Sequence, residues 1–162
     1  MAKINKLNAG IIKQAYSKEF TKKKLTVLID NKSYEILIDE KFKTTKLNEM
    51  VLEVLKNYEN YEKLPDNLRL TYIYFIMIKY FTDLDVTTET FEEQLVLIEA
   101  LIDLNIFETI IASFAETEIN KLVEYMKKFT ERLVELMKEN KSAEDIVSEI
   151  ESEINEDLQE KN

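Results

Sequence analysis

The chain has 162 residues, 45% of them hydrophobic, and carries 22 Lys+Arg against 32 Asp+Glu, a net charge of −10. That length suits one domain with a real core, and the hydrophobic content argues against wholesale disorder. It has no His, no Cys and one Gly, which excludes an imidazole base, a Ser-His triad, a thiolate nucleophile, His- or thiolate-held zinc and a Gly-rich phosphate loop.

Residues 1–23 form a basic arm or a short helix. Asn8 can cap a helix through Ile11, Ile12, Ala15, Tyr16 and Phe20, although Gly10 weakens it. The period then changes. Residues 24–30 (KLTVLID) and 33–39 (SYEILID) are β-rich runs about a polar Asn31-Lys32 link and read as a hairpin. Leu25, Val27 and Ile29 share one face of the first strand, and Tyr34, Ile36 and Ile38 one face of the second. A lone hairpin is marginal in water, so this one must pack on something.

Thr44 or Thr45 can cap a helix predicted over 46–61, with Leu47, Met50, Val51, Val54, Leu55 and Tyr58 on one apolar stripe. Leu64, Pro65 and Asp66 break the chain, and Asp66 is the candidate N-cap for 66–82. Within 72–81 only Lys79 is charged. So apolar a run suits strand as well as helix, and its length favours helix. Residues 83–89 read as a loop. Thr90, Phe91, Glu92 and Glu93 make a capping-box pattern that opens a helix to about residue 104. Asn105 interrupts it, and 106–115 resumes with Ile106, Phe107, Ile110, Ile111 and Phe114 inward.

A turn is expected around Ala115, Glu116 and Thr117. A longer helix follows over 118–139, its inner face Ile119, Leu122, Val123, Met126, Phe129, Leu133, Leu136 and Met137. Beyond Asn140 and Lys141, the run Ser142, Ala143, Glu144, Asp145 is a second cap signal. In the last helix Ala143, Ile146, Val147, Ile150, Ile154 and Leu158 form one narrow stripe, while eight Asp/Glu from 144 to 160 crowd the rest. So narrow a stripe resembles a coiled-coil seam. It suits docking on its own domain, pairing with another chain, or a frayed tail.

The expected architecture is therefore mostly α with one N-terminal β-hairpin (α+β). It is a bundle of about five to six helices plus a C-terminal amphipathic acidic helix. Its parts are a basic arm or short helix (1–23), a hairpin and helical domain (24–139) and an acidic helix (140–162). An all-β fold is excluded, because sandwiches and barrels need many left-handed turn positions and this chain has one Gly. The lack of Cys fits a reducing compartment, no apolar leader stands at the start, and the 72–81 run is too short to span a bilayer. A cytoplasmic protein with no membrane partner is expected.

Charge is unevenly spread. Residues 1–65 hold 13 Lys and 9 Asp/Glu, a net of +4, and residues 66–162 hold 9 Lys/Arg and 23 Asp/Glu, a net of −14. Seven of those Lys, from Lys3 to Lys24, lie in the first 24 residues. The asymmetry reads either as two solvated surfaces or as complementary ends that let copies meet head to tail. Lys22, Lys23 and Lys24 could touch phosphates, but the whole chain repels them, so no direct nucleic-acid contact is expected. Asp83 and Asp85, with Asp39 and Glu40, are the loop carboxylates worth weighing as a metal or acid–base pair. They lack the ligand count and central Gly of a calcium loop and read as capping and solvation. No cofactor, no metal and no catalysis are expected.

The hairpin LTVLIDNKSYEILID, the following EKFKTTKLNEMVLEVL and the later LIDLNIFETIIASFAETEINKLVEYM resemble small morphogenesis proteins of tailed phages and prophages of low-GC Gram-positive bacteria. The chain is similar in particular to tail assembly chaperones encoded beside the tape-measure protein. That resemblance covers about residues 24–127 and implies a helical, self-associating protein. Such a protein binds apolar helical segments of a tape-measure-type chain in the bacterial host cell. It transfers no binding residue. The residues expected to serve a partner or a second copy are Ile146, Val147, Ile150, Ile154 and Leu158 on the last helix, with Lys22, Lys23 and Lys24 near the start. The alternative is an acidic decoy whose helical surface imitates a phosphate backbone and inhibits a nucleic-acid-binding partner.

Overall fold

The computed structural model of the chain describes residues 6–86, 90–139 and 141–160. Its elements are α1 (Ala9–Glu19), β1 (Lys22–Ile29), β2 (Lys32–Asp39), α2 (Thr44–Lys56), α3 (Tyr58–Glu62), α4 (Asp66–Phe81), α5 (Phe91–Asp103), α6 (Ile106–Ser113), α7 (Glu116–Lys138) and α8 (Ala143–Glu160). The fold is mostly α with one antiparallel hairpin, as a composition rich in helix formers and nearly free of Gly and Pro implies. Lys3, Thr87, Thr88, Glu89 and Asn140, assigned by sequence to the arm, a loop and a joint, lie outside the described residues.

The hairpin differs from expectation in its turn. β1 and β2 pair from Lys22↔Asp39 to Ile29↔Lys32, so the two linking residues are Asp30 and Asn31, not Asn31 and Lys32. Both have left-handed backbones (φ 50° and 61°), the conformation a two-residue hairpin turn needs and Asp and Asn tolerate. Val27, Ile36 and Ile38 are buried on one face, whereas Tyr34, expected with them, sits near the tip and is exposed. The hairpin packs on the end of α4. Ile38 bridges Thr82, the Leu37 N–H donates to Asp83 Oδ1 at 2.6 Å, and the Asp83 N–H donates to the Leu37 carbonyl at 3.0 Å.

Asn8 caps α1 as expected, accepting from the Ile11 N–H at 3.1 Å. The single helix expected over 46–61 is two. At Asn57 the side-chain amide donates to the Glu53 carbonyl at 3.1 Å, a local bond that competes with helix continuation and ends α2. Lys43, not Thr44 or Thr45, occupies the cap of α2, with no side-chain hydrogen bond. Pro65 caps α4, and Asp66 is its first residue, where a carboxylate meets the positive end of the helix.

The 66–81 segment is a helix, and its apolar circumference is covered on nearly every side. Tyr72, Ile73, Phe75, Ile76, Met77, Ile78 and Phe81 are all buried, against α2, α5, α6 and the hairpin. Each such side chain stabilises the fold by about 1.5–3 kcal/mol relative to exposure. Phe42 stacks on Phe81 at 3.9 Å between ring centroids and meets Phe114 edge-on at 5.3 Å, which pins the loop before α2 to the core. Thr90 and Glu93 form the expected capping box of α5, with bonds of 3.2 and 3.1 Å. Asn105 breaks α5 from α6 with a left-handed backbone at φ 56°.

α7 starts at Glu116, earlier than expected. Leu122, Leu133 and Leu136 are buried along it, but Val123 and Met137, both expected inside, are exposed at 52% and 48%. A 23-residue helix spans about 35 Å, so only its first part meets the main core. Its second part joins a separate small cluster of Leu55, Leu133, Leu136, Ile146 and Ile150. Among the described residues no helix is long and apolar enough to cross a membrane.

Candidate functional site

That second cluster contains the stripe singled out on the last helix. α8 opens with a reciprocal cap: Ser142 Oγ accepts from the Asp145 N–H at 3.2 Å and donates to Asp145 Oδ2 at 2.6 Å. The helix then lies in the groove between α2 and α7. Ile146 and Ile150 are buried there, and Val147 and Ile154 are half-buried beside Leu52, Tyr58 and Phe129. The side chain of Leu158 lies outside the described residues. The stripe is thus seated on its own chain.

The acidic flank of α8 is held by cations from both walls. Arg132 Nε on α7 donates to both carboxylate oxygens of Glu153 at 3.0 Å, and Nη2 reaches Glu149 at 3.5 Å. Lys141 pairs with Glu139 at 2.8 Å and with Glu149, and Lys56 on α2 lies 3.3 Å from Glu151. The hydrogen bond from Arg132 holds the Glu153 carboxyl below the usual carboxylate range, and the one from Lys141 does the same for Glu139. In return, bonds to Glu139 and Glu149 raise the Lys141 ammonium above its ordinary value.

An apolar cleft of about 350 Å³ remains open next to the seated helix, lined by Leu55, Tyr58, Leu133, Met137, Lys141, Ile146 and Val147. Met137 contributes to it because it points away from the core. Periodicity alone placed that residue inside, so the cleft could not be found from the sequence.

The three lysines singled out near the start are exposed but engaged within the chain. Lys22 lies 3.5 Å from the buried carboxylate of Asp39, Lys24 lies 3.0 Å from Glu35, and Lys23 donates to the carbonyl of Ser113. They tie the hairpin to itself and to α6. Asp83 is occupied in joining α4 to β2, and among the described residues no group of three or more His, Cys, Asp or Glu is placed to hold a metal ion.

Two features escaped sequence reasoning. One is a polar network beside α4. Glu53 accepts from Lys79 Nζ at 2.7 and 2.9 Å and from the Tyr80 hydroxyl at 2.8 Å, while the Tyr72 hydroxyl donates to buried Gln94 at 2.9 Å. Burial, then the nearby Glu53, pushes the Tyr72 and Tyr80 phenols well above their ordinary range, so both act as fixed hydrogen-bond donors. The lone charge in 72–81 was a signal that Lys79 must find a partner.

The other feature is α1, none of whose side chains is buried: Ile11, Ile12 and Tyr16 are exposed, as is Leu7 just before it. On the opposite side of the charge balance, an open apolar groove of about 400 Å³ runs between α4, α5 and α6. Its walls include Tyr74, Ile102, Phe107, Glu108 and Ile111.

A protein-family model described as YomO matches residues 10–159. No curated protein and no solved structure matches the chain.

Proposed function

The chain belongs to the YomO family, which is phage-associated, and on that footing we propose that it is a non-catalytic tail assembly chaperone. It works in the cytoplasm of the bacterial host cell, self-associates, and binds apolar helical segments of a tape-measure-type protein. The observation that carries this reading is the groove between α2 and α7. It already holds one amphipathic helix by a narrow apolar stripe, and it leaves an apolar cleft of about 350 Å³ beside Val147 and Met137.

A helix laid in such a groove is recognised by its apolar face alone, so the job needs no reactive group. Several copies along one long partner raise the overall affinity without new contacts. The acidic-decoy alternative has less behind it, because Glu149, Glu151 and Glu153 are already paired within the chain.

Fluorescence anisotropy with labelled helical segments of a tape-measure-type protein tests the reading. Met137→Lys, at an exposed site, is expected to weaken binding about tenfold, or about 1.4 kcal/mol, with an unchanged melting temperature. If no apolar helical segment binds, or if Met137→Lys binds like the wild type, the reading fails.

A further inference from the structure

We propose that α1 of one copy docks in the α4–α5–α6 groove of a second copy, so that the chains join head to tail. This deepens the self-association proposed above and rests on it. An 11-residue helix with no buried side chain is marginal in water unless something covers it. Among the described residues only the C-terminal end of α1 is tied down: Glu19 pairs with Lys41, and Lys43 Nζ lies 4.8 Å from the Tyr16 ring centroid. Leu7, Ile11 and Ile12 at its other end are uncovered, at 69%, 44% and 54% exposure.

Charge identifies the occupant. In the first 24 residues Glu19 is the one acid, and it is already paired; among the described residues Lys13 and Lys18 have no ion-pair partner. Between Lys79 and Lys121 the sequence has no Lys or Arg and ten Asp/Glu. That stretch builds α5 and α6. Glu99, Ile102 and Asp103 share one exposed face of α5 by helical spacing, and Glu108 stands on the wall of the groove.

A basic helix with a bare apolar stripe therefore has its complement on the same chain: an apolar groove with Glu108 on its wall and Glu99 and Asp103 on the adjoining face of α5. Ile11 and Ile12 fill the groove against Ile102 and Phe107, and Lys13 and Lys18 meet the acids beside it. The two surfaces differ, so the contact is heterologous and leaves a free α1 at one end and a free groove at the other. Such contacts propagate into rings or filaments.

Light scattering and sedimentation against concentration and salt, on the full chain, provide the test. Wild-type mass is expected to rise with concentration and to fall as salt is added. Ile12→Asp and Ile102→Lys are each expected to stay monomeric with the wild-type melting temperature. Ala112→Lys, also on the groove, serves if Ile102→Lys melts early. An equimolar mixture of Ile12→Asp and Ile102→Lys is expected to form a heterodimer and stop there, since each supplies the surface the other lacks. If the wild type assembles and either variant assembles as it does, the α1–groove contact is overturned while self-association stands on another surface. A mixture that stays monomeric overturns the head-to-tail pairing. A wild type that is monomeric at every concentration overturns the inference and the self-association behind it, leaving helix capture to be judged by the anisotropy result.

Discussion

Lys79 is the one charge in the 72–81 run, and its ammonium is matched by Glu53 from α2, whose second role is to accept from Tyr80. Glu53 is 16% exposed and Lys79 29%, so the pair is largely shielded from water and its geometry matters. Removing one partner leaves the other ion without its match. Glu53→Ala is expected to cost about 2 kcal/mol, read as a lower urea midpoint with unchanged slope. Asn105→Val is expected to cost about 1–2 kcal/mol in the same assay, because a β-branched residue is strained at φ 56°. At this scale the sequence showed that Lys79 is the one charge in its run and that Asn105 would interrupt a helix, and the need of Lys79 for a partner went unread. It could not show that Glu53 was the partner, since that depends on how α2 lies across α4.

α4 is the element around which the main core forms. Ile76 is fully buried in it, in contact with a cluster drawn from the hairpin and four helices. Ile76→Asp places an unpaired carboxylate there, a penalty comparable to the whole stability of a chain this size. The variant is expected to lose its cooperative thermal transition by circular dichroism. A folded variant that fails only in partner binding would contradict the assignment of α4 to the core. The helical state of 66–81 was legible from length. The strand limits were less so, because Lys22 and Lys23 have low β-propensity and enter β1 through pairing with β2. The limits of α2 were hidden by the side chain of Asn57. Periodicity assigned the stripe of α7 correctly but not how much of it would be covered, so Val123 and Met137 were misplaced.

Across the whole molecule two clusters differ in how they are held. The main core is mostly apolar packing with the shielded Glu53–Lys79 pair at its edge, whereas among the described residues the α8 cluster has five buried residues and a ring of ion pairs. Glu153 and Glu139 have lowered folded-state values, so their contribution to stability is complete above the ordinary carboxylate value of about 4.3 and is lost as pH falls through the lowered ones. Acidification is therefore expected to free α8 before the main core opens. Hydrogen exchange would show the amides of Ile146, Ile150 and Ile154 losing protection first; simultaneous loss across both clusters would contradict this. From the sequence, the narrow stripe of α8 suited its own chain first, then a partner or a frayed tail, and only the fold decides that it is seated on α2 and α7. The uncovered face of α1 was likewise invisible, because an amphipathic pattern does not say whether its apolar side finds a cover.

The central claim is that the cleft beside α8 takes a helical segment of a partner. Photo-crosslinking from position 137, with position 28 on the exposed face of the hairpin as control, tests it most directly when a tape-measure-type protein is co-expressed. The expected result is a crosslink from position 137 that maps to an apolar helical segment, with none from position 28. Crosslinks from position 28 alone, or from neither, would contradict the account.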